Sequence, residues 1–189
     1  MKLSIILKLI FALIITLIPN NKIRVLFLNI IPGYRFANSN IGYVNLFCVA
    51  SIDVINSNIG NFNFFYISKL KMENNSILGS KNIFFSYDYL KSKLIMFKSQ
   101  ISFKNYFEFN EEVYLGENVV FGGCCTKMIL GPKKDKTILS KNIFIGSNSL
   151  LMSGIKISEN ITIGAGSIVQ EDLNLVGIYY SKEMTSKQV

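Results

Sequence analysis

The sequence predicts an all-β fold, a three-sided parallel β-helix entered through a short N-terminal helical segment, and three observations carry that expectation. Leu139, Ile145, Leu151, Ile157, Ile163, Val169 and Leu175 stand six residues apart and every one is aliphatic. A six-residue period is too short for a helix and its turn, but it suits a short strand followed by a bend with one side chain pointing inward. Three such units close one triangular turn, so equivalent residues should stack eighteen apart, as Gly146 does with Gly164 and Ile41-Gly42 with Ile59-Gly60. The three prolines, Pro19, Pro32 and Pro132, all fall at expected boundaries and leave the strands unbroken.

Taken in chain order, residues 1–35 form an apolar helical segment. Lys8 interrupts its first half, leaving the apolar run Leu9 to Ile18, short of the roughly 20 residues that a spanning helix needs. Pro19-Asn20-Asn21-Lys22 supplies no small-residue cleavage site, so a secretory signal is not favoured. A second stretch, Ile23 to Ile31, ends at Pro32-Gly33, and residues 1–31 together read as a helical hairpin docked on the core or resting on a bilayer surface.

The repeat occupies residues 36–176. Ile41, Phe47, Ile59 and Phe65 share one phase, and Met72, Leu78 and Phe84 another. After a less regular stretch from Tyr87 to Ile95, Phe97, Phe103, Phe109, Leu115 and Phe121 keep the phase of the C-terminal run. That phase fails at Lys127 and Lys133 and resumes at Leu139, which marks residues 127–138 as an excursion from the coil. Residues 177–189 form a tail.

Composition narrows the chemistry. With no histidine among 189 residues, imidazole is unavailable as base, proton shuttle or metal ligand. Cys48, Cys124 and Cys125 form neither a C-x-x-C knuckle nor an even disulfide set, so no metal site is expected and a reducing, cytoplasmic setting follows, with the membrane face open to the hairpin. The net charge of +8 comes almost wholly from dispersed lysine, the only arginines being Arg24 and Arg35, so nucleic acid is not the expected partner.

The units Ile145-Gly-Ser-Asn-Ser-Leu, Leu151-Met-Ser-Gly-Ile-Lys, Ile157-Ser-Glu-Asn-Ile-Thr and Ile163-Gly-Ala-Gly-Ser-Ile resemble those of the hexapeptide-repeat acyltransferases. The lead-in from Leu17 to Arg24, with Pro32-Gly-Tyr34, is similar to the branch that modifies capsule and lipopolysaccharide sugars. The resemblance implies a left-handed coil, against the usual crossover rule, and a homotrimer with acetyl-CoA as co-substrate in grooves between coils. It also implies a histidine in the excursion that deprotonates a sugar or lipid-linked glycan acceptor. That histidine would fall near Leu130 or Gly131 and is absent. The tail departs too, with Gln170-Glu171-Asp172 where the family tends to place a lysine.

Candidates for the chemistry each have a structural alternative. Cys124 is expected to face outward and to be able to carry an acyl group, whereas Cys125 falls at a buried corner position. Asp135 in the excursion and Glu108 one coil earlier are the carboxylates nearest the lost base, and either would need its pKa raised to replace it. Lys133, Lys134 and Lys136 can grip phosphate or simply be solvated. By resemblance, Gly146, Ser147, Gly164, Ala165 and Gly166 are the donor contacts, small enough for pantetheine to reach the backbone, although tight corners demand small residues as well. Two functions stay open: an acyl-CoA-dependent O-acyltransferase of surface-polysaccharide synthesis, and a noncatalytic relative that binds a glycan intermediate or partner subunit. A γ-class carbonic anhydrase shares the repeat but needs three histidine ligands and is excluded.

Overall fold

The computed structural model describes residues 3–131 and 135–180. Two helices, α1 (Leu3–Thr16) and α2 (Asn21–Leu28), precede a left-handed parallel β-helix of about eight turns. Its three faces are stacks of short parallel strands. One face runs through eight strands from Asn40–Ile41 to Gly177–Tyr179. The next carries Ile83–Phe85, Tyr106–Glu108, Lys127–Ile129, Leu150–Met152 and Ile168–Val169, and the last carries Lys93–Phe97, Glu112–Leu115, Thr137–Leu139 and Lys156–Ile157. Near the N-terminus, Leu46–Ile55 and Phe64–Glu73 pass from one of these faces to the other without a turn; Phe64 pairs with Ile83 and Lys69 with Lys93.

The eighteen-residue stacking predicted from sequence holds where no residue is inserted: Ile41 pairs with Ile59, and Ile143 with Ile161. The inward positions fill a narrow core. In the first half it is a column of rings, with Phe47 on Phe65, Phe65 on Phe84 and Phe84 on Phe107 at centroid separations of 5.2, 5.0 and 5.0 Å. In the second half Leu139, Ile145, Leu151, Ile157 and Ile163 are all buried.

Three features differ from the sequence reading. Strand Lys93–Phe97 buries Leu94 and Met96, so Phe97 points outward, and Phe103 lies half exposed at a corner; Ile101 and Phe107 take the inward positions instead. Left-handed backbone at Lys98 and Lys104 resets the alternation that a strict six-residue count assumes. Leu175 is 76% exposed, and Gly177–Tyr179 closes the last coil in its place. The excursion is narrower than 127–138, because Lys127–Ile129 and Thr137–Leu139 are ordinary coil strands; the phase is lost at Cys124 and Cys125, where one extra residue enters the corner.

A ladder of buried side chains ties successive coils together at the corner that follows the eight-stranded face, here the glycine corner. The Asn63 amide donates to Asn45 Oδ1 (3.0 Å), Asn82 to Asn63 Oδ1 (2.9 Å), Asn105 to Asn82 Oδ1 (2.9 Å) and Thr126 to Asn105 Oδ1 (3.2 Å). These amides turn away from the regular strand ladder, and the asparagines supply the acceptors they would otherwise lack. At another corner, Asn38, Asn56, Asn118, Asn142 and Asn160 hold φ between 47° and 59°. Asparagine tolerates that region better than most residues, so the asparagine-rich composition has a structural cause.

Asn82→Ala removes the acceptor for Asn105 and the bond to Ser102 O, leaving buried groups unsatisfied. The expected cost is about 3 kcal/mol, a fall in Tm of roughly 6 °C or more by differential scanning calorimetry.

Candidate active site

Two chain segments leave the coil at the same corner, the one crossed without a turn by the two long N-terminal strands. The first follows Ile83–Phe85 and returns at Lys93; the second follows Lys127–Ile129 and returns at Thr137. One coil lies between them, and its turn from Phe109 to Glu112 forms the floor of a cleft of about 300 Å³. Asp88 and Lys91 stand on one side and Leu130, Gly131 and Asp135 on the other, with Thr137 and Ser153 completing the lining.

The walls are fixed by backbone geometry. Asn110 Oδ1 accepts from the amides of Tyr87 (3.0 Å) and Asp88 (3.1 Å), so the floor residue holds the first loop. Ser153 Oγ accepts from the Gly131 amide (3.2 Å), and Thr137 Oγ1 from the Gly154 amide (2.8 Å), which fastens the second loop to the following coil. Four carboxylates, Asp88, Glu111, Glu112 and Asp135, line this cleft. Lys91 Nζ lies 3.5 Å from Asp88 and 3.8 Å from Glu111, and Lys136 Nζ lies 3.6 Å from Glu112. The Glu112 side chain is the most enclosed of the ion-paired carboxylates at 21% exposure, while Asp135 sits exposed at the lip. Such an arrangement can accept a proton from a bound hydroxyl, while its net negative lining disfavours a phosphate group. Among the described residues no cluster of His, Cys, Asp and Glu could hold a metal ion.

The sequence-predicted residues separate into distinct places. Asp135 and Lys136 are at the cleft; Lys133 and Lys134 lie outside the described residues. Glu108 is not in the cleft lining; it sits on strand Tyr106–Glu108 and accepts from Tyr106 Oη at 3.1 Å. Cys124 and Cys125 occupy the glycine corner, both exposed, both with positive φ and with sulfurs 3.8 Å apart. The expectation that Cys125 is buried fails because the inserted residue moves Thr126 into the inward corner position. Cys48 is the buried thiol, and burial pushes its pKa up.

Gly146, Ser147, Gly164, Ala165 and Gly166 also lie at the glycine corner. A Cβ on Gly146 would collide with the Ala165 backbone of the next coil, and one on Gly116 with the carbonyl of Ser140, so close stacking accounts for both glycines. Gly164 and Gly166 differ. A Cβ on Gly164 would sit in ordinary contact with Tyr180 at 3.4 Å and the Tyr179 carbonyl at 3.5 Å, whereas one on Gly166 would meet nothing within 4 Å, so the backbone at Gly166 is approachable from outside. Sequence reasoning missed Asp88, Lys91, Glu111 and Glu112. The usable signal was the irregular stretch from Tyr87: both insertions follow strands of one face, so they must emerge at one corner.

No family model matches the chain. It is 37% identical over 101 residues to the "Bifunctional protein GlmU" of Buchnera aphidicola subsp. Schizaphis graminum, a match covering 52% of this chain and 21% of that protein. The protein of the same name from Thermosipho africanus is 40% identical over 76 residues, 39% of this chain and 17% of the relative, and that from Thermotoga petrophila 41% over 63 residues, 33% and 14%. The chain thus spans about a fifth or less of the length of these relatives. Together with the coil, these likenesses support the hexapeptide-repeat acyltransferase class.

Gly146→Ala is expected to cost several kcal/mol, since backbone must move, whereas Gly164→Ala costs about 1 kcal/mol or less. Comparing their melting temperatures separates the stacking glycine from the one with room for a methyl group. In a native thiol titration two cysteines should react promptly, Cys124 and Cys125, and Cys48 only after denaturation.

Proposed function

We propose that this chain is a CoA-dependent O-acyltransferase that moves an acetyl group onto a sugar hydroxyl in surface-polysaccharide synthesis. The observation that carries the reading is the placement of the cleft. Leu130 and Gly131, where the resemblance puts the family's histidine, form part of its wall, and carboxylates line the rest.

In this reading a cleft carboxylate takes the acceptor's hydroxyl proton, and the freed oxygen adds to the thioester carbonyl. CoA departs with that proton as its free thiol. Glu112, the more enclosed of the two, is the base of choice, with Asp135 as the alternative at the lip. Backbone around Gly166 offers the approachable surface for pantetheine, and it lies at another corner from the cleft. A homotrimer is therefore part of the proposal: packing the glycine corner of one protomer beside the loop corner of the next would bring donor and acceptor together.

The test is a thermal-shift titration with acetyl-CoA, using CoA and ATP as controls, followed by a free-thiol assay with a panel of sugars and nucleotide sugars. A saturable shift and acceptor-dependent thiol release are expected, a ligand at 100 times its Kd adding about 2.7 kcal/mol. Glu112→Gln should lower turnover about 100-fold or more while leaving the shift in place. Absence of both shift and thiol release up to millimolar acetyl-CoA would favour the noncatalytic glycan- or partner-binding relative instead.

A further inference from the structure

The N-terminal hairpin has two apolar faces, one on the core and one turned outward. On α1 two polar side chains turn toward the protein: Thr16 is fully buried and donates to Leu13 O, and Lys8 reaches back to Pro32 O at 2.6 Å with its ammonium 5.9 Å from the Tyr34 ring centroid. Arg24 of α2 is buried as well, donating to Ile18 O and Pro19 O and lying over Tyr43. A second set of apolar side chains faces out. Leu7, Ile10, Phe11, Ile14 and Leu17 make a stripe along α1, continued on the second helix and its exit by Ile23, Leu26, Phe27 and Ile30; all are between 42% and 69% exposed. Between the helices the surface folds into an apolar groove of about 300 Å³ with Lys8 at its edge.

Charge says what covers this face. Residues 1–52 contain no acidic residue; Arg24 is buried and Arg35 pairs with Asp53, the first acid in the chain, which leaves Lys8 at the groove edge and the exposed Lys22 as the cations of the hairpin surface among the described residues. A partner protein's polar rim would meet only cations and amides here, since the hairpin carries no acid. A lipid surface asks for the observed combination: apolar side chains to enter the acyl boundary and cations without nearby acids to meet anionic headgroups. No helix among the described residues is long and apolar enough to cross a membrane, so the hairpin would lie in the interface plane.

We propose that α1 and α2 dock the β-helix flat on an anionic bilayer surface, with Phe11, Ile14, Leu26 and Phe27 entering the acyl boundary. The proposal is independent of the reaction suggested above. The test is co-sedimentation of the full chain with vesicles of phosphatidylcholine alone and of phosphatidylcholine with phosphatidylglycerol, over a range of salt. Binding is expected to the mixed vesicles, about tenfold or more tighter than to the neutral ones and weakening as salt rises. Phe11→Ser and Leu26→Ser alter exposed side chains, so circular dichroism and Tm should stay unchanged while vesicle affinity falls about tenfold or more for each. Two outcomes would overturn the proposal: folded variants that bind as the wild type does, or a wild type that ignores both vesicles. If in the latter case the same substitutions shift the oligomer on a sizing column, the face belongs to a second copy.

Discussion

Successive coils of this chain sit one strand spacing apart, about 4.8 Å, and that distance governs nearly every residue choice in the repeat. Whatever stands at a given corner in one coil presses on the same corner in the next. Gly116 and Gly146 have no room for a methyl group because a carbonyl or amide of the following coil already occupies it. Asn45, Asn63, Asn82 and Asn105 turn the same constraint to advantage, since side chains at one strand spacing can bond coil to coil. The phenylalanine column follows as well, with rings about 5 Å apart for the same reason that the strands are.

Stability in such a structure is a sum over neighbours, and the ends are its weak places. The N-terminal end is covered by α1, α2 and the exit from α2, whose inner side chains Ala12, Ile15, Leu28 and Ile31 join the common core. The helices therefore serve the first coil as a lid while presenting a second apolar face outward.

The fold was legible in the sequence because the period is short and the aliphatic positions from Leu139 to Val169 keep it without interruption. Legibility fell where residues are inserted. Phe97 and Phe103 kept the count but not the direction, since a strand that meets a left-handed residue can reverse which side chains face inward. Cys125 was misplaced for a related reason, one extra residue moving Thr126 into the corner. A third of the charged residues of the candidate site was readable: Asp135 and Lys136 lie in the excursion itself, which announces its own position. Asp88, Lys91, Glu111 and Glu112 join it only through the stacking of three coils, a relation that depends on every insertion between them being counted correctly.

The two loops that flank the cleft end on strands whose pairing on either side is complete: Lys127 on Leu150 before the second loop, Thr137 on Val113 after it. Each loop is therefore closed by rigid posts whose separation does not depend on the loop's own length. For flexible segments, doubling the length costs only about 0.6 kcal/mol in closure entropy. The corner thus works as an open socket: a longer or differently composed segment can be set between Ile129 and Thr137 while the coil register on both sides stays as it is. What the molecule recognises can change by exchange at that socket, with the scaffold paying almost nothing for the novelty.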